Sequence, residues 1–145
     1  MLKPTRSFSI LVLALVALNF TACSGKKEAA PEAASNKGVG PVQSMTVGPM
    51  DVTLAAKGQQ LFQNKCSACH KLSEKYVGPA IKGVTQRRTP EWIMNMILNP
   101  QEMTEKDPVA RELLATHFTQ MTFQNVTQEE ARSILEYFRQ NDGAK

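Results

Sequence analysis

Cys66-Ser67-Ala68-Cys69-His70, closing an amphipathic stretch that begins near Asp51, is the run from which the rest of this 145-residue chain can be read. Two thiols three residues apart share one helical turn, and a histidine follows directly. Upstream, Asp51 or Thr53 can cap a helix that carries Leu54, Gly58, Leu61 and Phe62 on one face and runs into Lys65 or Cys66. Downstream the same punctuation recurs. Thr89-Pro90-Glu91 is an N-cap followed by proline at the first helical position, and its helix carries Trp92, Ile93, Met96 and Ile97 before stopping at Asn99-Pro100. Asp107-Pro108 opens a third helix, through Leu113 and Leu114 to about Thr116. Thr127-Gln128-Glu129-Glu130 is a capping box, with Val126 placed to staple onto Ala131 and a buried face of Ala131, Ile134, Leu135 and Phe138. No stretch alternates with the period of a strand. The expectation is an all-α domain of about four helices over residues 51–145, without internal repeats.

Composition excludes several classes. With 17 Lys and Arg against 13 Asp and Glu, a net charge of +4, and 42% hydrophobic residues, the chain is neither a disordered acidic protein nor a multispan membrane protein. Three cysteines are too few, and odd in number, for a disulfide scaffold. The charge is small and no basic patch is interleaved with aromatics, which argues against a nucleic-acid partner.

The Cys66 to His70 run has the C-x-x-C-H spacing through which c-type haem is attached. Two thiols on one helical turn can both reach the vinyl groups of one porphyrin edge, and the adjacent histidine is a proximal iron ligand. Other chemistry fits less well. A thioredoxin-like pair wants a βαβ setting. A zinc site would need Cys66, Cys69, His70 and His117 without the usual paired spacing. A simple disulfide leaves His70 unexplained.

Residues 51 to about 140 resemble a bacterial class I cytochrome c. The resemblance rests on Gly58, Phe62 and Cys66 at four-residue intervals, on Ile134 and Tyr137 in the last helix, and on Val77-Gly78-Pro79-Ala80-Ile81-Lys82-Gly83-Val84. It implies a cytochrome c-like fold around one covalent haem, with Gly58 at a helix crossing against the last helix. It also implies that the Pro79 carbonyl accepts a hydrogen bond from the ring of His70, fixing the ligand's orientation. The family takes its sixth ligand from the loop before the C-terminal helix, which selects Met121 among the methionines. His117 and Met103 are rivals, and an open sixth position is a further alternative. Around the haem edge, Arg87, Arg88 and Trp92 are candidate donors to the propionates, by guanidinium geometry and the single indole N–H. Exposed arginines and a core tryptophan are the plainer reading of the same residues.

With histidine and methionine both bound, iron keeps no open position, so the resemblance implies a one-electron carrier between respiratory-chain components and a terminal reductase or oxidase, not an enzyme. A five-coordinate haem sensor or peroxidase-like protein is the alternative if Met121 does not ligate. Charge is unevenly placed. From Lys57 to Pro90 there are seven basic residues and one acid, whereas from Glu91 onward nine acids face five bases. A basic rim at the haem segment would steer a monomer toward acidic faces of redox partners.

The N-terminal part is read as an address. Lys3 and Arg6 precede the apolar run Ile10 to Leu18, which as a helix rises about 14 Å against a hydrocarbon core of about 30 Å, so it is an export signal rather than a span. Phe20-Thr21-Ala22-Cys23 resembles the lipobox of bacterial lipoproteins, which implies a signal over residues 1–22 and lipidation of Cys23. That resemblance implies an anchor on the periplasmic side of the cell envelope, with inner and outer membrane both open. Residues 23–50, rich in small residues, Gly, Pro and mixed charge, are then expected to be a flexible tether, with a reach on the order of 30 Å.

Overall fold

The structure, a computed structural model, describes residues 35–144. The signal stretch, Cys23 and the first part of the expected tether lie outside the described residues. Six helices lie wholly within them: α1 (Val52–Lys65), α2 (Val84–Arg87), α3 (Pro90–Leu98), α4 (Pro100–Lys106), α5 (Pro108–His117) and α6 (Gln128–Asn141). No strand occurs among the described residues.

Four of the six starts follow from local chemistry. The Asp51 carboxylate accepts from the Thr53 and Leu54 amides at 2.9 and 3.0 Å, Thr89 from Trp92, and Asp107 from Ala110. Thr127 and Glu130 form the reciprocal box at the head of α6. The two helices beyond the expected four arise differently. α2 is a single turn whose leading amides, Gly83 and Thr85, donate to the Asp142 carboxylate just past α6. α4 begins where α3 stops, because the Asn99-Pro100 pair that ends one helix also supplies a proline at the first position of the next.

α1 and α6 form the scaffold pair, and Gly58 is where they cross. A Cβ there would overlap the Ser133 carbonyl and stand 3.0 Å from the Ile134 Cα. On one side of that crossing, Phe62 packs against Tyr137 and Phe138, with ring centroids 5.6 and 5.8 Å apart. This close approach fixes where α1 ends, and so where Cys66 begins.

Residues 35–50 depart from the expected free tether. Val42 is buried, and the segment lies across α3 and α4 through a set of directed bonds. Asn95, itself buried, accepts from the Val42 amide and donates to the Val42 and Lys37 carbonyls. The Val39 amide lies 3.0 Å from the Met103 sulfur. Gly38 and Gly40 pass so close to Met103, Trp92 and Asn95 that a side chain would collide with them. The domain therefore begins by residue 36 rather than at 51. Its small residues serve close passage over the helices.

Candidate functional site

α1 ends in a turn that repeats the helical register once more. The Cys66 and Ser67 amides donate to the Phe62 carbonyl, and Cys69 and His70 both donate to the Cys66 carbonyl, at 3.1 and 2.9 Å. The chain then folds back on itself. The Gly78 amide bonds the Cys69 carbonyl at 2.8 Å, and Ile81 and Lys82 bond Lys71 and Leu72. This brings the Pro79 carbonyl to 3.1 Å from His70 Nδ1. Gly78 packs against the imidazole, where a Cβ would meet the ring. In the tautomer that satisfies the Pro79 bond, Nδ1 carries the proton and Nε2 keeps its lone pair. Burial pushes the His70 pKa below its ordinary value, opposed by the Pro79 carbonyl and reinforced by His117. The ring is therefore a neutral, oriented ligand donor at neutral pH.

An apolar cavity of about 190 Å³ opens beside this turn. Its wall includes Cys66, His70 and Pro79 from the turn and its return loop, Arg87 at the end of α2 with Arg88 just beyond it, Trp92 from α3, and Met121. Phe62, Ile97, Leu113, Ile134 and Phe138 supply the greasy surface between them. Cys69 is exposed beside Cys66, and the two form no disulfide with one another. Burial pushes the Cys66 thiol up to about 11, against the neighbouring Lys65, so it stands as the protonated thiol at neutral pH.

The other candidates divide. Met103 is fully buried beneath residues 38 and 39, with its sulfur facing the Val39 amide, and it takes no part in the cavity wall. That position removes it as a rival ligand. His117 closes α5 with Nδ1 buried and unpartnered, but it is not among the lining residues. Trp92 does not offer its indole N–H to the cavity. The group donates to Asp107 Oδ1 at 3.1 Å, which makes Trp92 an apolar wall and not a propionate donor. Arg88 lies over the Trp92 ring at 5.4 Å and bonds the Arg87 carbonyl, while Arg87 bonds the Lys82 carbonyl. Both arginines remain at the cavity mouth with further N–H groups to offer.

Asp107 is the residue that sequence reasoning valued only as a cap. It is buried, and its carboxylate holds the Ala110 amide, the Trp92 indole and the Asn36 amide together. Replacing it with alanine strands a buried indole N–H and removes the α5 cap. The expected cost is about 2 kcal/mol, read as a lower urea midpoint with unchanged slope.

Helices alone around an apolar cavity, with two cysteines and an oriented histidine on one turn, define the class of small proteins that bind haem covalently. The chain belongs to the cytochrome c family, whose pattern matches residues 55–142. A cytochrome c from Rhodothermus marinus is 45% identical, with a TM-score of 0.70 over 71% of this chain and 90% of that one. The cytochrome c domain of the pp3183 protein from Pseudomonas putida is 27% identical, with a TM-score of 0.54 over 59% and 87%. A cytochrome c-553-like protein from Synechocystis sp. is 33% identical over 64 residues. The chain spans 61% of the length of that curated relative. Family membership brings with it one iron-bearing haem c, held by thioethers to Cys66 and Cys69. The residues fit that group: the cavity wall is almost wholly apolar, a thiol stands on it, and the ring bond from His70 Nδ1 to Pro79 leaves Nε2 unused among the described residues.

Proposed function

We propose that this protein is a one-electron carrier and not an enzyme, and that its haem iron would be held by His70 Nε2 and the Met121 sulfur. When bound, haem c supplies an iron that alternates between Fe(III) and Fe(II). The observation that carries the reading is that His70 and Met121 line one apolar cavity. His70 is oriented by Pro79 and contributes a neutral nitrogen. A thioether donor favours the reduced state, and the surrounding Phe62, Ile97 and Phe138 exclude water, so charge changes in a site of low dielectric. Arg87 and Arg88 at the mouth are placed to pair with the propionates.

In this reading the basic stretch between Lys57 and Pro90 steers the monomer toward acidic faces of redox partners in a respiratory chain. The export signal and a lipidated Cys23 hold it on the periplasmic side of a membrane. No helix among the described residues is long and apolar enough to cross one.

Met121→Ala tests the axial assignment. The wild-type ferric protein is expected to show the weak far-red band of methionine-ligated haem, and its reduced spectrum should not shift under CO. The variant should lose the band and bind CO. Its reduction potential should fall by at least about 60 mV, a tenfold change for a one-electron couple. An unchanged variant spectrum removes Met121 as the ligand. A wild type that already binds CO favours the five-coordinate sensor or peroxidase-like reading.

A further inference from the structure

The loop that carries Met121 is attached to the domain in an unusual way. Between His117 and Val126 no side chain is buried, and Phe118 is 90% exposed. Phe118 and Asn125 both stand in the left-handed region, at φ 54° and 50°, which disfavours this path for non-glycine residues. Met121 itself lies between two spaces. It lines the apolar cavity shared with His70 and also an outer groove of about 660 Å³, bounded by Leu98, Leu114 and Phe123. The outer groove leaves this side chain room to swing away, so packing alone does not hold it inward.

Polar contacts do the holding, at two points. Before Met121, Gln120 Oε1 lies 3.0 Å from the hydroxyl of the buried Thr104, sharing its one proton with the Gln101 and Pro100 carbonyls at 2.8 and 3.1 Å. Gln120 Nε2 donates to the Met121 carbonyl at 3.0 Å and to Pro100 on α4 at 3.4 Å. After Met121, the Lys65 ammonium donates to the Gln124 and Asn125 carbonyls at 3.2 and 3.1 Å. Lys65 is the last residue of α1, directly before Cys66. Its side chain therefore ties the Met121 loop to the same turn that presents His70.

We propose that Thr104 with Gln120, and Lys65, are positioning residues that latch the 118–125 loop and set how readily Met121 yields its place to an external ligand. The inference rests on the reading of Met121 as an axial ligand. A closed loop in equilibrium with an open one lowers apparent affinity for a competitor by the open fraction. Each latch is made of ordinary hydrogen bonds, so removing one raises that fraction about fivefold.

The test uses the ferric holoprotein and imidazole as the competing ligand, titrated spectrophotometrically. Thr104→Val removes the hydroxyl at nearly constant shape, and Lys65→Met removes the donors while keeping the aliphatic stem. Each is expected to bind imidazole about fivefold more tightly than wild type and to weaken the far-red band, and the two effects should multiply in the double variant. Thr104→Ser, which keeps the hydroxyl, should stay near wild type. Urea unfolding separates a merely structural role, because lower stability with unchanged imidazole affinity overturns the proposal. So does Thr104→Ser behaving as Thr104→Val. A wild type without the far-red band, unaltered by Met121→Ala, overturns the axial reading and the latch with it. A wild type with the band, and latch variants indistinguishable from it, overturns the latch alone.

Discussion

Alanine in place of Gly58 is expected to destabilise the domain by about 3 kcal/mol, the upper end of what overpacking costs. The sign is the informative part. Within a helix alanine is intrinsically better than glycine by about 1 kcal/mol, so propensity alone predicts a gain. The Cβ would overlap the Ser133 carbonyl, which belongs to the backbone of α6 and cannot turn aside as a side chain would. α1 and α6 must move apart instead, loosening Phe62 from Tyr137 and Phe138. Because α1 runs directly into Cys66, a shift at the crossing also displaces the turn that presents His70. A domain with a total stability of about 5 to 15 kcal/mol does not absorb such a loss easily. Urea unfolding of wild type and Gly58→Ala checks it; equal or higher stability in the variant would mean that the helices have slack at this point.

What the sequence made legible was local. Asp51, Thr89, Asp107 and Thr127 announce helices through side chains that bond amides two or three residues on, so four helix starts could be read without tertiary information. The start of α2 could not. Its cap is Asp142, 57 residues from Thr85, and nothing near Val84 encodes that partnership. The segment 35–50 misleads for a related reason. Its composition is that of a linker, because what attaches it is mainly backbone, received by the buried side chains of Asn95 and Met103 and the half-buried Thr89. Sequence weighs side chains against a core and is blind to a backbone that is bonded by someone else's amide.

The cavity shows the same division. C-x-x-C-H and the proline loop place Cys66, His70 and Pro79 together because they lie within 14 residues and zip along one another. Trp92 illustrates the limit. An indole N–H near arginines reads as a donor to an anion, and Asp107 does supply the anion, but from the protein and fifteen residues away. The pull of a buried carboxylate on the nearest donor decides the outcome, and that depends on α4 returning Asp107 to α3. Met121 had no local signal at all beyond its distance from the last cap; it reaches the cavity wall on a loop bonded by Thr104 and Lys65 from outside its own sequence neighbourhood.

Replacing both Cys66 and Cys69 with serine is expected to have the largest effect of any change in the chain, on retention of haem and on folding together. Serine hydroxyls cannot form the thioethers, so the porphyrin would be held only by axial bonds and burial, and it should be lost under denaturing conditions, where the wild type keeps it. The energetic consequence follows from the cavity. Left empty, an apolar cavity of about 190 Å³ that opens on one side costs at most about 4 to 5 kcal/mol, the figure for an enclosed void of that volume. That is comparable to the whole stability of a small domain. Collapse could recover part of it in a plastic core, but α1, α3 and α6 all line the void, and α1 and α6 are already in contact at Gly58, so they have little room to close further. The haem is therefore expected to be a component of the core, with attachment as a step in folding. The measurement pairs haem staining of a denaturing gel with far-ultraviolet circular dichroism of the same preparation. The double variant should be unstained and should unfold at a urea concentration well below wild type. Full helicity with wild-type stability in an unstained protein would mean that the helices pack without the porphyrin.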